Sequence, residues 1–194
     1  MAFLLLASFL AFVSLAAAQV PYFTGCPQVS VMENFSAESY LGTWYEYEKY
    51  PFIFEVGGKC ITAEYTYRPD GKIGVTNRQL NRILGSENSI NGYAEADVGE
   101  PAKLTVTFPS VSANGSPYWV LGTDYESYAV VWSCTEYGGL ASTRVAWILT
   151  RDQMPKIETV QKAYEVFDKN GISKSFLMKT NHEGCKTDMM REHQ

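Results

Sequence analysis

The chain has 194 residues, 46% of them hydrophobic and 14% aromatic, and its 16 Lys and Arg against 21 Asp and Glu leave a formal net charge of −5. Nucleic acid is excluded as a partner, because phosphate binding needs a basic face and no basic cluster occurs. The length suits one domain with enough chain to bury a core and line a cavity, and no Ser/Gly linker, charge block or internal repeat divides it.

Met1 to Ala18 is uncharged and strongly apolar, and it closes on Ala16-Ala17-Ala18, the small-residue pattern at which a signal peptidase cuts. Residues 1–18 are therefore expected to be a signal peptide and residues 19–194 a single secreted domain. A membrane anchor is the alternative reading, but Ser8 and Ser14 interrupt the apolar run, and no later segment is long enough to span a bilayer. Secretion leads through an oxidising compartment, where the even set Cys26, Cys60, Cys134 and Cys185 is expected to pair. Four cysteines allow three connectivities, and spacing alone selects none. That spacing is wide and irregular and the chain has only His182 and His193, so no metal site is expected. The same route makes the sequons Asn34-Phe35-Ser36 and Asn114-Gly115-Ser116 eligible for glycosylation, the second weakened by Pro117.

From Gly42 onward, short stretches rich in β-branched and aromatic residues alternate with turn residues at near-regular spacing. This predicts eight antiparallel strands near 43–50, 59–68, 72–80, 88–96, 102–108, 117–123, 127–135 and 142–150. Asp70-Gly71 turns the second strand into the third, and Gly138-Gly139 the seventh into the eighth. Eight such strands close into a barrel wide enough for one small ligand. Between the first two strands, residues 50–58 set Phe52, Ile53 and Phe54 beside Gly57-Gly58. Such a loop serves as a lid over the mouth, as a rim contact, or as a surface for homo-oligomer or lipoprotein association. After Pro155, Ile157, Val160, Ala163, Tyr164 and Phe167 recur at helical spacing up to Asn170-Gly171, which predicts one amphipathic helix lying on the barrel. Phe176-Leu177-Met178 follows as an edge element, and the tail beyond Cys185 is polar.

Side chains alternate across a strand, so Arg151 aimed at one barrel end puts Val145, Trp147 and Leu149 on the inward face. The same count turns Ile61, Ala63, Tyr65 and Tyr67 inward, with Ile73, Val75, Asn77 and Gln79, with Leu104, Val106 and Phe108, and with Tyr118 and Val120. Gly92 and Ala94 are small and are expected to leave room. Each aromatic alone reads as core packing, but aromatics interleaved with a few amides are the composition of a ligand pocket. Asn77 and Gln79 then need water or a ligand polar group, while Arg78 and Arg82 face outward by the same count. Gly42 allows close backbone entry, Trp44 plugs one end, Arg151 lies across that indole, and Asp124 in Thr123-Asp124-Tyr125 accepts backbone N–H bonds in a tight loop. None of these has the setting of a catalytic acid, and no Ser-His-Asp or paired-carboxylate pattern is visible.

Three stretches occur in order: Tyr40-Leu41-Gly42-Thr43-Trp44-Tyr45-Glu46; residues 117–125, ending in Thr123-Asp124-Tyr125; and Ala146-Trp147-Ile148-Leu149-Thr150-Arg151. Together they resemble the three conserved regions of the lipocalin family, and within it the apolipoprotein D and invertebrate bilin-binding group. The resemblance covers nearly all of residues 19–194. It implies pairing of Cys26 with Cys134 and of Cys60 with Cys185. It also implies a pocket at Tyr65, Asn77, Gln79, Phe108, Tyr118 and Trp147. The function so implied is extracellular carriage of a small hydrophobic molecule with no required cofactor: biliverdin or a carotenoid first, otherwise a retinoid, steroid or fatty acid. General lipid transport or protection against lipid peroxides is the second reading, the latter through Met154, Met178, Met189 and Met190. A lipid isomerase needs a free thiol, and the implied pairing leaves none, so no enzyme is expected.

Overall fold

The structure, a computed structural model, describes residues 20–51, 55 and 57–185. The expected signal peptide, the apolar tip of the 50–58 loop that carried the lid and association readings, and the tail beyond Cys185 lie outside the described residues.

Among the described residues, ten strands and two α-helices follow one another: β1 (Val20–Tyr22), α1 (Ala37–Tyr40), β2 (Gly42–Lys49), β3 (Gly58–Tyr67), β4 (Ile73–Asn81), β5 (Glu87–Asp97), β6 (Glu100–Thr107), β7 (Ser116–Thr123), β8 (Tyr128–Tyr137), β9 (Ala141–Thr150), α2 (Ile157–Lys169) and β10 (Met178–Lys179). Each strand from β2 to β9 pairs with the next, and β9 pairs back onto β2, which closes an eight-stranded antiparallel barrel. The expected first to eighth strands are thus β2 to β9. β1 lies outside on β9, with Val20 opposite Arg144, and β10 lies on β2, with Met178 opposite Lys49. β1 escaped the sequence reading because three residues containing Pro21 carry no alternation to read.

The sheet pairing puts Gly42 opposite Tyr65 at one barrel end. α1 and the β3–β4, β5–β6 and β7–β8 turns gather there, while the other four connections ring the opposite mouth. Two cores result. One fills the closed end and lower barrel around Trp44, Tyr40, Tyr65, Leu104 and Val120. The other lies outside the barrel wall, where Ala163 and Phe167 of α2 cover Val130, Trp132 and Ile148. Gly122 permits this contact, since a Cβ there would lie 2.9 Å from Val166 Cγ2.

Three face assignments are corrected. Tyr67 is 75% exposed, because it ends β3 beyond the level of the floor, next to the Asp70 turn. Ile157 is exposed at the first turn of α2, before the helix meets the wall. Gly92 leaves no room: a Cβ would come within 2.2 Å of the Thr107 carbonyl and 2.6 Å of the Phe108 ring, so the missing side chain is replaced by a packed neighbour.

Both disulfides join the pairs implied by the resemblance, Cys26–Cys134 and Cys60–Cys185, across 108 and 125 residues of sequence. Bridges closing such long loops stabilise by about 2–4 kcal/mol each. The second also has a local task. β2 and β3 separate above Tyr45 opposite Thr62, and the segment after β10 fills the gap. Thr180 N–H donates to the Tyr47 carbonyl at 3.0 Å, Cys60 N–H to the Asn181 carbonyl at 2.9 Å, and the disulfide pins this strap to the wall.

Candidate functional site

The closed end is built from groups that satisfy one another. Trp44 is wholly buried, and its indole N–H donates to the Tyr40 carbonyl at 2.9 Å. The Arg151 guanidinium lies 3.7 Å above that ring and donates to the carbonyls of Thr43 (2.8 Å), Leu41 (2.8 Å), Tyr125 (3.0 Å) and Tyr40 (3.4 Å). One cation thus ties the start of β2 to the β7–β8 loop. Gly42 makes this possible, with φ +93° and a hypothetical Cβ only 3.2 Å from Arg151 Nη1. In the same loop, Asp124 Oδ1 accepts N–H bonds from Ser127 (2.8 Å), Tyr128 (3.0 Å) and Glu126 (3.2 Å). Burial pushes the Asp124 pKa up, but the Ser127 hydroxyl and these N–H groups outweigh it and leave the carboxyl below its ordinary value. Thr123 Oγ1 donates to the Tyr128 carbonyl and accepts from Tyr125 N–H, whose φ is 65°.

Above this floor the barrel encloses a cavity of about 240 Å3. Tyr65, Asn77, Gln79, Phe108, Tyr118 and Trp147 all line it. Tyr118 is the hub at its base: its hydroxyl lies 2.9 Å from that of Tyr40 and 2.6 Å from that of Tyr65, and its ring stacks on Trp147 with centroids 6.4 Å apart. Burial, foremost, raises the pKa of all three phenols, so the cluster stays neutral. Leu104 and Val120 belong to the core beneath the cavity instead of its lining. Asn77 and Gln79 stand side by side in period on β4, and the side-chain oxygen of each is buried without a hydrogen-bond partner. Arg78 between them turns outward, at 2.7 Å from Glu64 and 3.8 Å from Glu87, and Arg82 donates to the Gly58 carbonyl.

The sequence reading overlooked two acids. Glu46 shares the inward face of β2 with Trp44, is 3% exposed and lines the cavity, as does Glu55 from the loop after β2. Lys49 bridges them, 2.9 Å from Glu46 Oε1 and in contact with the Glu55 carboxylate, and the Thr180 hydroxyl also meets Glu46. Burial, foremost, and then the charge of Glu46 raise the Glu55 pKa against the pull of Lys49. The parity count applied to the other strands would have found Glu46. Past it the strand bulges, so Glu48 leaves the cup and accepts a bond from the Tyr164 hydroxyl of α2.

Of the sequons, Asn34 is exposed in a turn before α1 and Asn114 is exposed at the rim of the cavity. Met154 and Met178 are exposed, while Met189 and Met190 lie outside the described residues. Among the described residues no group of His, Cys, Asp and Glu is placed to hold a metal, and no helix is long and apolar enough to cross a membrane.

A closed up-and-down barrel, stoppered at one end and open at the other over a cavity of mixed aromatic and amide lining, is a ligand-holding cup. The model of the lipocalin / cytosolic fatty-acid binding protein family matches residues 41–184, and the chain belongs to that family. It is 39% identical over 186 residues to apolipoprotein D of Cavia porcellus, covering 95% of this chain and 97% of that protein. It is 32% identical over 154 residues to insecticyanin-B of Manduca sexta, covering 73% of this chain and 71% of the other. Among solved structures it is similar to insecticyanin of the tobacco hornworm Manduca sexta, with a TM-score of 0.74 at 24% identity over 86% of this chain and 90% of that one.

Proposed function

We propose that the protein is a secreted carrier that holds one small hydrophobic molecule non-covalently inside the barrel, with residues 1–18 removed on export and residues 19–194 forming the single carrier domain. The observation that carries this reading is the cavity itself, in which Tyr65, Phe108, Tyr118 and Trp147 stand beside the amide side chains of Asn77 and Gln79. A core built only for stability has no use for such a space, because an unfilled cavity forfeits packing contacts. The apolar remainder of the ligand supplies the drive, at about 25 cal/mol per Å2 buried. Trp147 stacked on Tyr118 offers a flat conjugated ligand a ring to lie against. That feature and the kinship with insecticyanin favour a bilin or carotenoid pigment over a retinoid, steroid or fatty acid. Tyr65, Asn77, Gln79, Phe108, Tyr118 and Trp147 are the proposed contacts. The cup performs no chemistry on its cargo. Pairing of all four cysteines fits an oxidising extracellular setting.

The protein isolated from its native source tests this. Visible absorption with mass spectrometry of the organic extract is expected to give a stoichiometric band and a bilin or carotenoid mass. A colourless protein yielding stoichiometric fatty acid or sterol would discard the pigment and keep the carrier, and the absence of any stoichiometric small molecule would count against both.

A further inference from the structure

The two ends of the barrel present different chemistry to solvent. At the closed end the turns are charged, with Arg68, Asp70 and Lys72 at the β3–β4 turn, Asp97 and Glu100 at the β5–β6 turn, and Asp124 and Glu126 at the β7–β8 turn. At the mouth, residues 23–25 after β1 and residues 83–86, 108–117 and 137–141 of three connections contain no Asp, Glu, Lys or Arg. Their large apolar side chains stand in water: Phe23 is 93% exposed, Ile83 91%, Leu84 76% and Leu140 81%, with Val111 and Tyr137 also exposed. One such residue alone is ordinary. Gathered on one rim with no charge among them, they form a surface. The exposed apolar residues of the closed end, Tyr67, Val98 and Met154, stand instead among charged neighbours such as Arg68, Asp97 and Asp152.

The same tips satisfy their own backbone. The N–H groups of Ile83 and Leu84 both donate to the Asn81 side-chain oxygen at 2.9 Å, that of Val111 to the Phe108 carbonyl at 2.9 Å, and that of Leu140 to the Tyr137 carbonyl at 3.3 Å. In water an open N–H costs nothing, but in an apolar medium an unpaired one is expensive. The charges that flank the tips are tied back to the wall: Arg82 donates to the Gly58 carbonyl, Glu87 lies 3.8 Å from Arg78, and Glu136 accepts from Cys26 N–H at 2.9 Å. Ile83, Leu84, Val111 and Leu140 therefore leave water without stranding a backbone donor.

We propose that this rim docks on a neutral phospholipid surface, mouth down, so that cargo passes between the cup and the lipid without crossing water. The docking stands on the rim alone, while the passage of cargo rests on the carrier reading above. A lipid surface suits the rim because its apolar side chains sit on separate loops around an opening. Acyl chains fill in around each of them, whereas a second protein would find no continuous face to cover. Neutral lipid suits it because the tips offer no Lys or Arg to anionic head groups, and the net charge of −5 is repelled by them. The charged closed end then faces water.

Flotation of the disulfide-bonded protein with phosphatidylcholine vesicles tests the docking. Asn114 stands on the same rim, so the protein is first freed of N-glycans. The protein is expected to float with the vesicles, and Leu84→Ser and, separately, Leu140→Ser to lower the partition coefficient about tenfold each. Val98→Ser, at the closed end, is expected to leave it unchanged, and phosphatidylserine added to the vesicles to lower it. No flotation overturns the proposal, as does flotation that ignores both rim substitutions or that requires the anionic lipid. A dimer in solution that Leu140→Ser dissolves, with no flotation, assigns the rim to a second copy and likewise overturns it. Flotation by a protein that holds no small molecule would sink the carrier reading and leave the docking in place.

Discussion

The floor and the upper wall of this barrel use the same kinds of residue and leave them in opposite states. At the floor, the guanidinium of Arg151, the indole N–H of Trp44 and the carboxylate of Asp124 each reach backbone partners. Farther up, Asn77 and Gln79 bury oxygens with no partner, and Glu46, Glu55 and Lys49 are charged groups held largely out of water. Satisfied polar groups hold a fold together, whereas each buried group without a partner is a cost to the empty fold. The contrast sets the closed end, whose bonds maintain the barrel, against the wall above it, where the proposed cargo contacts lie.

Substitutions on the two sides should therefore differ in sign as well as size. Trp44→Ala empties the floor beneath Tyr40 and Arg151 and is expected to cost about 3–5 kcal/mol in urea unfolding. Replacing Cys60 and Cys185 together by Ser should cost about 2–4 kcal/mol and loosen the strap beside the mouth, read as faster hydrogen exchange at Thr180 and Cys60 with little change at Trp44. Tyr118→Phe strands the hydroxyls of Tyr40 and Tyr65 at the boundary between the two regions, for an expected loss of about 1–3 kcal/mol. Asn77→Leu should do the reverse in the empty protein, raising its stability by up to about 1 kcal/mol while weakening the binding of a ligand with a polar end. A calorimetric scan with and without dodecanol separates the two effects.

The smallest effect is a dependence on pH. The folded Asp124 carboxyl titrates below its ordinary value, so its contribution is complete above the unfolded carboxylate pKa and is lost as pH falls through the lower folded one. Asp124→Asn is expected to flatten the acid limb of the stability profile below about pH 4. An unchanged limb would show that the loop does not depend on that charge.

Much of this was legible in the chain because alternation along a strand is a strict rule. It put Asn77, Gln79, Val145, Trp147 and Leu149 on the cavity side without reference to any tertiary contact. It failed at Tyr67, since parity gives a face but not a height in the barrel, and Tyr67 lies past the floor. It also failed at Gly92, where the space left by one residue is taken by the ring of Phe108, the residue just past β6. The ion cluster stayed hidden because Glu55 reaches Glu46 from a loop and Thr180 from 134 residues away. The tyrosine hub was partly visible, with Tyr65 and Tyr118 facing inward by count, but Tyr40 comes from α1, a single helical turn with no periodicity to read.

The most direct test of the division between floor and cup is a titration of the isotope-labelled protein with dodecanol, followed by NMR of its tryptophan indole and Asn/Gln side-chain resonances. The account predicts saturable shifts at Trp147, Asn77 and Gln79 with the Trp44 indole unmoved. Shifts at Trp44 with Asn77 and Gln79 silent would contradict it.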